Sequence, residues 1–493
     1  MDCRRTIIIL KYSLKNFYMK KLLYKPLVCG MIFLMLLGLS TGCKKYLEIP
    51  LPIDQLATAT VYKDSTTIAA AVDGMYNSFA SSLLQGNTLR FTYWISDEGR
   101  IDPIPGSEIG NIIAGNLQEG NTQTLPWSWY YPGIYRANEL IERLPSVPVS
   151  IISETKKNTF IGAAKYVRAA THFFLANYWG DVPLTLTTNT DFNIANGRTP
   201  AAQVYAQVLK DLYEAVNSLP VTVNTSNSKT IHNRFQALAL LARVHLYLGN
   251  YVSADSAATA VINSGQYQIV TGLNNVFKRG TREAIYSQGP TSTGLLFDNR
   301  ALLGWLTLPS TSALTLTTYC HIPPQFLANF EAGDQRNINN NWVIDLFGRR
   351  FANKYLHNSS ATAATIAANP QDFIYQRLAE LYLIRAEARA KQGVITGANS
   401  AASDLNIIRN RAGLPNTTAS TQSAMLAAVE RERACELFYE GFRWLDLKRT
   451  GKLDATLSAL PWKAGNHQPH MKLLPIVLTE LIANPRIQQN PGY

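Results

Sequence analysis

Apolar positions along most of this chain recur at the spacing of an α-helix. Ala163, Tyr166, Val167, Ala170 and Phe174 fall at offsets 0, 3, 4, 7 and 11, one face of an amphipathic helix. Tyr205, Val208, Leu209, Leu212 and Val216 repeat the pattern, as do Ala237, Leu240, Leu241, Val244 and Leu248. The ends are marked as well. Thr199-Pro200 predicts an N-cap with proline in the first turn, Leu219-Pro220 closes that helix, and Gly180 to Pro183 ends the one before it. From Ile231 to Tyr267 the pattern predicts a helical hairpin, with helices over His232–Leu248 and Tyr251–Asn263 and a turn at Gly249-Asn250. Alanines at 237, 239, 242, 254, 257 and 258 permit close helix approach, as in a tetratricopeptide-type unit of about 34 residues. A second pair is predicted over Phe373–Gln392 and Ala401–Ala412. A charged helix over Glu430–Asp446 sets acids and bases three and four apart around an apolar stripe, which predicts a partly buried ion network fixing it to the scaffold.

Two long stretches, 85–130 and 268–360, lack this period. They are rich in Gly, Asn, Ser and Thr and carry most of the tryptophans. Irregular segments that long in a packed domain usually serve function. The picture is a rigid helical scaffold presenting irregular surface.

The N-terminus follows another pattern. Met19-Lys20-Lys21 opens a basic stretch, Leu27 to Leu39 supplies a short apolar run, and small residues lead to Cys43. This reads as a cleaved secretory signal over residues 1–42 with its true start at Met19, and the run is too short for a spanning helix. A cysteine directly after the small residues predicts a bacterial lipoprotein acylated on Cys43; Ser40 stands where an aliphatic residue is usual. The rival reading of this segment is a membrane anchor helix. No second apolar run reaches the ~18 residues of a membrane span.

Charge then changes meaning. The chain carries a net +12, but residues beyond 42 hold 39 basic and 33 acidic side chains, a net +6. No Lys/Arg cluster with interleaved aromatics is present, so nucleic acid is not an expected partner. The cysteines past the signal are Cys43, Cys320 and Cys435, and the last two are expected as buried thiols rather than a disulfide.

No catalytic constellation stands up. The seven histidines form no His-Glu-x-x-His pair, and His172 and His245 lie in predicted helices as scaffold residues. His467 and His470 share a loop without an acid or thiol at ligand spacing, so no metal and no cofactor are expected. Asp97-Glu98 invites a glycosidase reading, but two carboxylates need a defined separation around a glycosidic bond, and neighbours in a turn do not define it. A hydrogen-bonded turn is the expectation there. Trp94, Trp305, Tyr319 and Trp342 lie outside the helical stripes; flat rings of this kind stack on sugar faces or on peptide side chains, which makes these four the candidate ligand-binding residues.

Across its length past Cys43 the chain resembles the SusD/RagB family of nutrient-binding lipoproteins. The resemblance rests on Cys43 with Tyr46-Leu47-Glu48 and Pro50, on Trp127–Asn138, on Lys165–Leu184 and on Leu241–Tyr251. It continues through Arg377–Ala388, Leu405–Leu414 and Arg431–Leu447, and closes on Leu474-Pro475-Ile476 and Asn490–Tyr493. It implies a mostly α fold, SusD-like, with four tetratricopeptide-like helix pairs plus long irregular loops. The domain would span residues 43–493, with an N-terminal helical part to 285 and a loop-rich segment with the C-terminal helices from 286.

The same resemblance implies no enzyme activity. It implies a lid for a SusC-type TonB-dependent outer-membrane transporter, binding oligosaccharide or polysaccharide, anchored by lipid and facing the cell exterior. Lys44-Lys45 depart from the acidic residues often found after the lipid cysteine of surface-exported members. The matching motifs are scaffold motifs, so they carry no binding residues over, and Trp127 and Trp129 are expected as structural. Two alternatives stay open: a peptide-binding, RagB-like lid, and a tetratricopeptide adaptor that binds proteins.

Overall fold

The computed structural model describes residues 61–80, 86–102, 106–118, 127–223, 232–288, 320–356 and 363–493, with the backbone alone at 86–90, 363, 365 and 366. Cys43 and the signal segment lie outside the described residues, as do Trp305 and Tyr319. The main helices are α1 (Ser65–Phe79), α2 (Gly86–Ile95), α3 (Trp127–Arg143), α4 (Glu154–Trp179), α5 (Ala201–Ser218), α6 (Arg234–Tyr247) and α7 (Tyr251–Ile262). They are followed by α8 (Leu378–Lys391), α9 (Ala401–Arg411), α10 (Gln422–Leu437) and α11 (Arg443–Arg449). Four short strands accompany them: β1 (Ala284–Gln288), β2 (Val343–Leu346), β3 (Arg349–Ala352) and β4 (Phe373–Arg377). The mostly helical fold expected from the periodicity is what forms.

Local chemistry sets the ends. Ser153 caps α4 by accepting from the Lys156 N–H, and Gly180 stops it at φ +75. A Cβ at Gly180 would stand 3.0 Å from the Leu473 side chain, so both the backbone angle and the space favour glycine. Pro200 sits one place earlier than expected, at the N-cap of α5; the Asp181 carboxylate accepts the Ala201 N–H instead. Asn233 and Gln236 close a capping box on α6.

Successive helices pack on one another: α3 on α4, α4 on α5, α5 on α6, α6 on α7, α7 on α8, and α8 on both α9 and α10. The α6–α7 hairpin forms where the pattern predicts it, with its six alanines buried, and α9 forms where the second helix of the other pair is predicted. Residues Tyr62–Tyr493 make one compact unit. A break at 285/286 would fall inside β1, which pairs antiparallel with β4.

Two predicted helices are corrected. Phe373–Arg377 is a strand, buried at every position and paired with Ala284–Gln288, and the helix begins only at Leu378. Glu430–Asp446 is not continuous: α10 ends at Leu437, Tyr439 takes φ +58 and Gly441 φ +87, and α11 starts at Arg443. The aperiodic stretch 85–130 also contains helix, since α2 lies within it.

The expected ion network is present and deeply buried. Arg336 holds Asp334, Glu432 and Glu436 at 2.7, 2.6 and 3.0 Å. Arg377 and Arg411 both reach Glu436 and Glu283, and Arg377 also binds Glu440 at 2.7 Å. Burial alone would raise Glu436, but Arg411, Arg377, Arg336 and Lys354 together outweigh it and hold its carboxyl well below the usual range. Elsewhere Arg243 grips Glu380 through two bonds of 2.6 and 2.7 Å, and Arg168 grips Asp211 likewise at 2.8 and 2.7 Å.

Candidate ligand-binding face

Of the four aromatic candidates, the structure separates two. Trp342 has no exposed surface. Its indole N–H donates to the Leu273 carbonyl at 3.0 Å, and its ring lies 4.5 Å from the Lys354 ammonium and 5.2 and 5.7 Å from the guanidiniums of Arg411 and Arg377. It is a core residue of the ion network and offers no face to a ligand, so its assignment as a binding residue is corrected. Trp94 is different. It is partly buried on the last turn of α2, with its ring packed on the main core.

The turn after Trp94 is tied down at every step. The Trp94 indole N–H donates to Cys320 Sγ at 3.1 Å, and its carbonyl accepts from Lys463 Nζ at 2.7 Å. The ring of Tyr93 stacks on Tyr439 with centroids 4.4 Å apart and planes 18° from parallel. Asp97 receives a two-bond grip from Arg443, each bond 2.8 Å, and Glu98 accepts the Tyr439 N–H at 3.0 Å. Burial foremost, and then the Asp97 carboxylate, pushes Glu98 up to about 8. Asp97 and Glu98 therefore hold the turn rather than flank a reacting bond, in line with the hydrogen-bonded turn expected.

Beside Trp94 a polar cluster reaches the surface. Arg100 exchanges two backbone hydrogen bonds with His321, at 3.0 and 2.9 Å. Its guanidinium binds Asp102 at 2.6 Å and lies 4.8 Å over the Trp462 ring. Arg349 donates to the Asp102 carbonyl at 3.0 Å, and His321 Nε2 stands 3.4 Å from the Asp102 carboxylate. Burial holds His321 down at about 4; Asp102 opposes this, while Arg349 and Arg100 add to it, so the imidazole is neutral at pH 7. Arg100, Asp102 and Arg349 are each partly exposed. An aromatic face with guanidinium donors and a carboxylate acceptor at its side suits hydroxyl-rich or peptide ligands.

Arg100, Asp102, His321, Arg349, Trp462 and Lys463 escaped the sequence reading. They come from four separate stretches of chain and share no spacing that a local pattern would reveal. Tyr319 immediately precedes Cys320 in the chain, but lies with Trp305 outside the described residues.

Other candidates resolve into scaffold. His172 and His245 bond to the Arg168 carbonyl and the Tyr213 hydroxyl, at 3.0 and 2.9 Å. His467 Nε2 pairs with Asp454 at 2.8 Å and His470 packs edge-on against Tyr493, and no group of three metal-ligating side chains occurs among the described residues. Cys320 and Cys435 are separate buried thiols, as expected. Trp127 is buried, whereas Trp129 is 40 % exposed on the scaffold helix α3. A cavity of about 470 Å³ opens between α7, α8, α10 and α11, where Arg449 pairs with Glu387 at 2.6 Å and Arg433 with Asp446 at 2.9 Å.

Residues 328–493 match the family model of the SusD family, and residues 57–246 match one described as starch-binding associating with outer membrane. The chain belongs to the SusD family. A SusD-like protein of Formosa agariphila is 25 % identical over 531 residues, covering 96 % of this chain and all of that protein. The starch-binding protein SusD of Bacteroides thetaiotaomicron is 34 % identical over 122 residues, 24 % of this chain and 21 % of that one. The solved structure of a laminarin-binding SusD-like protein superposes with a TM-score of 0.72 at 26 % identity, over 88 % of this chain and all of that one. A surface glycan-binding protein of Bacteroides uniformis, 18 % identical, shares the fold with a TM-score of 0.71 over 86 % of this SusD-family chain and 99 % of its own.

Proposed function

We propose that this SusD-family protein is a non-enzymatic nutrient-binding lipoprotein of the outer membrane, facing the cell exterior. It holds oligosaccharide or polysaccharide on the Trp94 face and, as a lid, delivers it to a SusC-type TonB-dependent transporter. The observation that carries the reading is the partly buried Trp94, whose indole N–H and carbonyl are already engaged by Cys320 and Lys463. In this reading the ring of this partly buried residue is the apolar platform, and the Arg100–Asp102 pair a few residues on supplies the polar groups. The starch- and laminarin-binding relatives support a glycan as the ligand, and the family model described by association with the outer membrane supports the location. Acylation at Cys43 supplies the tether in this reading, with Trp305 and Tyr319 as further ligand contacts.

Affinity electrophoresis and calorimetry against starch, laminarin, other polysaccharides and peptides test it. Trp94→Ala is expected to weaken glycan binding by more than about 1 kcal/mol, roughly fivefold or greater. Retention of peptides alone would replace the glycan reading with the peptide-binding one. Robust release of reducing sugar would overturn a binding-only role. Co-purification of a TonB-dependent barrel with the tagged, lipidated chain tests the lid.

A further inference from the structure

The face around Trp94 rests on one turn of the C-terminal segment. Trp462 and Lys463 are consecutive, and each lies beneath one of the groups that build the face: Trp462 under the Arg100 guanidinium, Lys463 against the Trp94 carbonyl. Lys463 has no exposed surface, and its Nζ donates to two main-chain carbonyls, Trp94 at 2.7 Å and Ile113 at 2.8 Å. Both carbonyls stand at helix C-terminal ends, one on α2 and one on the short helix Glu108–Ile113. Such carbonyls lack an intrahelical partner and carry the negative end of the helix dipole. A single ammonium therefore caps two helices at once, and no carboxylate pairs with it among the described residues.

A buried ammonium without an ion pair is costly to desolvate, and burial pushes this one down to about 7 against the opposing influence of Asp97 and Cys320. The surroundings are shaped to admit it. Gly115 takes φ +74, and a Cβ there would come within 3.3 Å of the Lys463 Cβ and Cγ. Asn466 adds a second tie from the same turn, donating to the Ala114 carbonyl at 3.1 Å.

We infer that Lys463 is the positioning residue of the ligand face: by joining the ends of α2 and Glu108–Ile113 it fixes how the Trp94 ring is presented. The inference rests on the reading that Trp94 contacts the ligand, and its test separates the two. The full mature chain carrying 5-fluorotryptophan gives one ¹⁹F signal per indole, with the Trp94 and Trp462 signals assigned through Trp94→Phe and Trp462→Phe. In Lys463→Met the Trp94 and Trp462 signals are expected to move while those of Trp127 and Trp129 on α3 stay. Uniform movement of all signals, or none at Trp94, would overturn the inference with no ligand needed. In gels containing laminarin or starch, Lys463→Met is expected to lose about tenfold in retention and Asn466→Ala less. Asn466→Ala also keeps the test open if Lys463→Met does not fold, since it must shift the same two signals in the same sense. If Trp94→Ala weakens retention and Lys463→Met does not, Lys463 is no positioning residue. If neither variant changes retention, the Trp94 reading fails while a selective ¹⁹F shift still upholds the positioning role.

Discussion

Replacing Glu98 by glutamine tests whether the turn behind Trp94 is built on a buried, neutral carboxyl. Glu98 has no exposed surface; one oxygen accepts the Tyr439 N–H at 3.0 Å and the other has no hydrogen-bond partner. Burial, with Asp97 adding to it, moves its pKa from 4.5 up to about 8. The sign follows from proton counts. Below pH 4.5 the carboxyl is protonated in folded and unfolded chains alike, and its contribution to stability is complete. Between 4.5 and 8 the unfolded chain releases the proton and the folded chain keeps it, so stability falls as pH rises. Above 8 both are ionised and the loss is complete. At about 1.4 kcal/mol per pH unit the fall across this window is on the order of 4–5 kcal/mol, less whatever local relaxation and water entry recover.

Glutamine keeps the carbonyl that accepts from Tyr439 and stays neutral throughout. Its amide adds a pH-independent offset, so the slope alone carries the test. Urea unfolding of wild type and Glu98→Gln at pH 5, 6, 7 and 8 should show the variant gaining on wild type by about 1 kcal/mol per unit. Lys463, the other strongly shifted group at this turn, titrates in both proteins and largely cancels in the difference. A difference that stays flat from pH 5 to pH 8 would refute the reasoning.

Trp342→Ala should cost about 3–5 kcal/mol in chemical denaturation, because it empties a fully buried site, and a loss under 1 kcal/mol would contradict the core assignment. Glu436→Gln removes the carboxylate shared by Arg336, Arg377 and Arg411, and should destabilise by about 3–5 kcal/mol at pH 7. Because Glu436 is held low in the folded protein, its contribution is full above the ordinary glutamate range and is lost as pH falls, so the gap between wild type and Glu436→Gln should narrow on acidification in urea titrations.

What the sequence made legible is what repeats locally. Helices α4 to α7 were readable because their apolar faces and stops lie within one stretch of chain; Gly180 at φ +75 is such a stop. Phe373–Arg377 was not, since five apolar and polar residues fit either period and the deciding partner, Ala284–Gln288, lies far back in the chain. The break after Leu437 was masked by charges that keep a helical spacing across it: Glu440, in the link, serves Arg377 and Lys354, and Arg443, at the start of α11, serves Asp97. Gly441 at φ +87 was the one local sign. For the site, a tryptophan in an aperiodic stretch was a fair signal, yet it flagged Trp342 and Trp94 alike. Only tertiary neighbours distinguish a fully buried ring ringed by cations from one on a partly buried residue.

That contrast bears on the proposal that Trp94 meets a ligand. A polar edge left unpaired beside an apolar face would keep water there and would have to be stripped on binding. At Trp94 the indole N–H goes to Cys320 and the carbonyl to Lys463, both contacts made within the protein before any ligand arrives. On the proposed reading, a sugar face meeting the ring would displace water from apolar surface, while Arg100, Asp102 and Arg349, each partly exposed, would meet hydroxyl groups. The Asp97–Arg443 ion pair ties the turn to the start of α11, and the Glu98 hydrogen bond ties it to Tyr439 in the link between α10 and α11. The face is thus preorganised by buried polar contacts behind it. Its affinity should respond to changes at Lys463 or Glu98 even though neither side chain can touch a ligand.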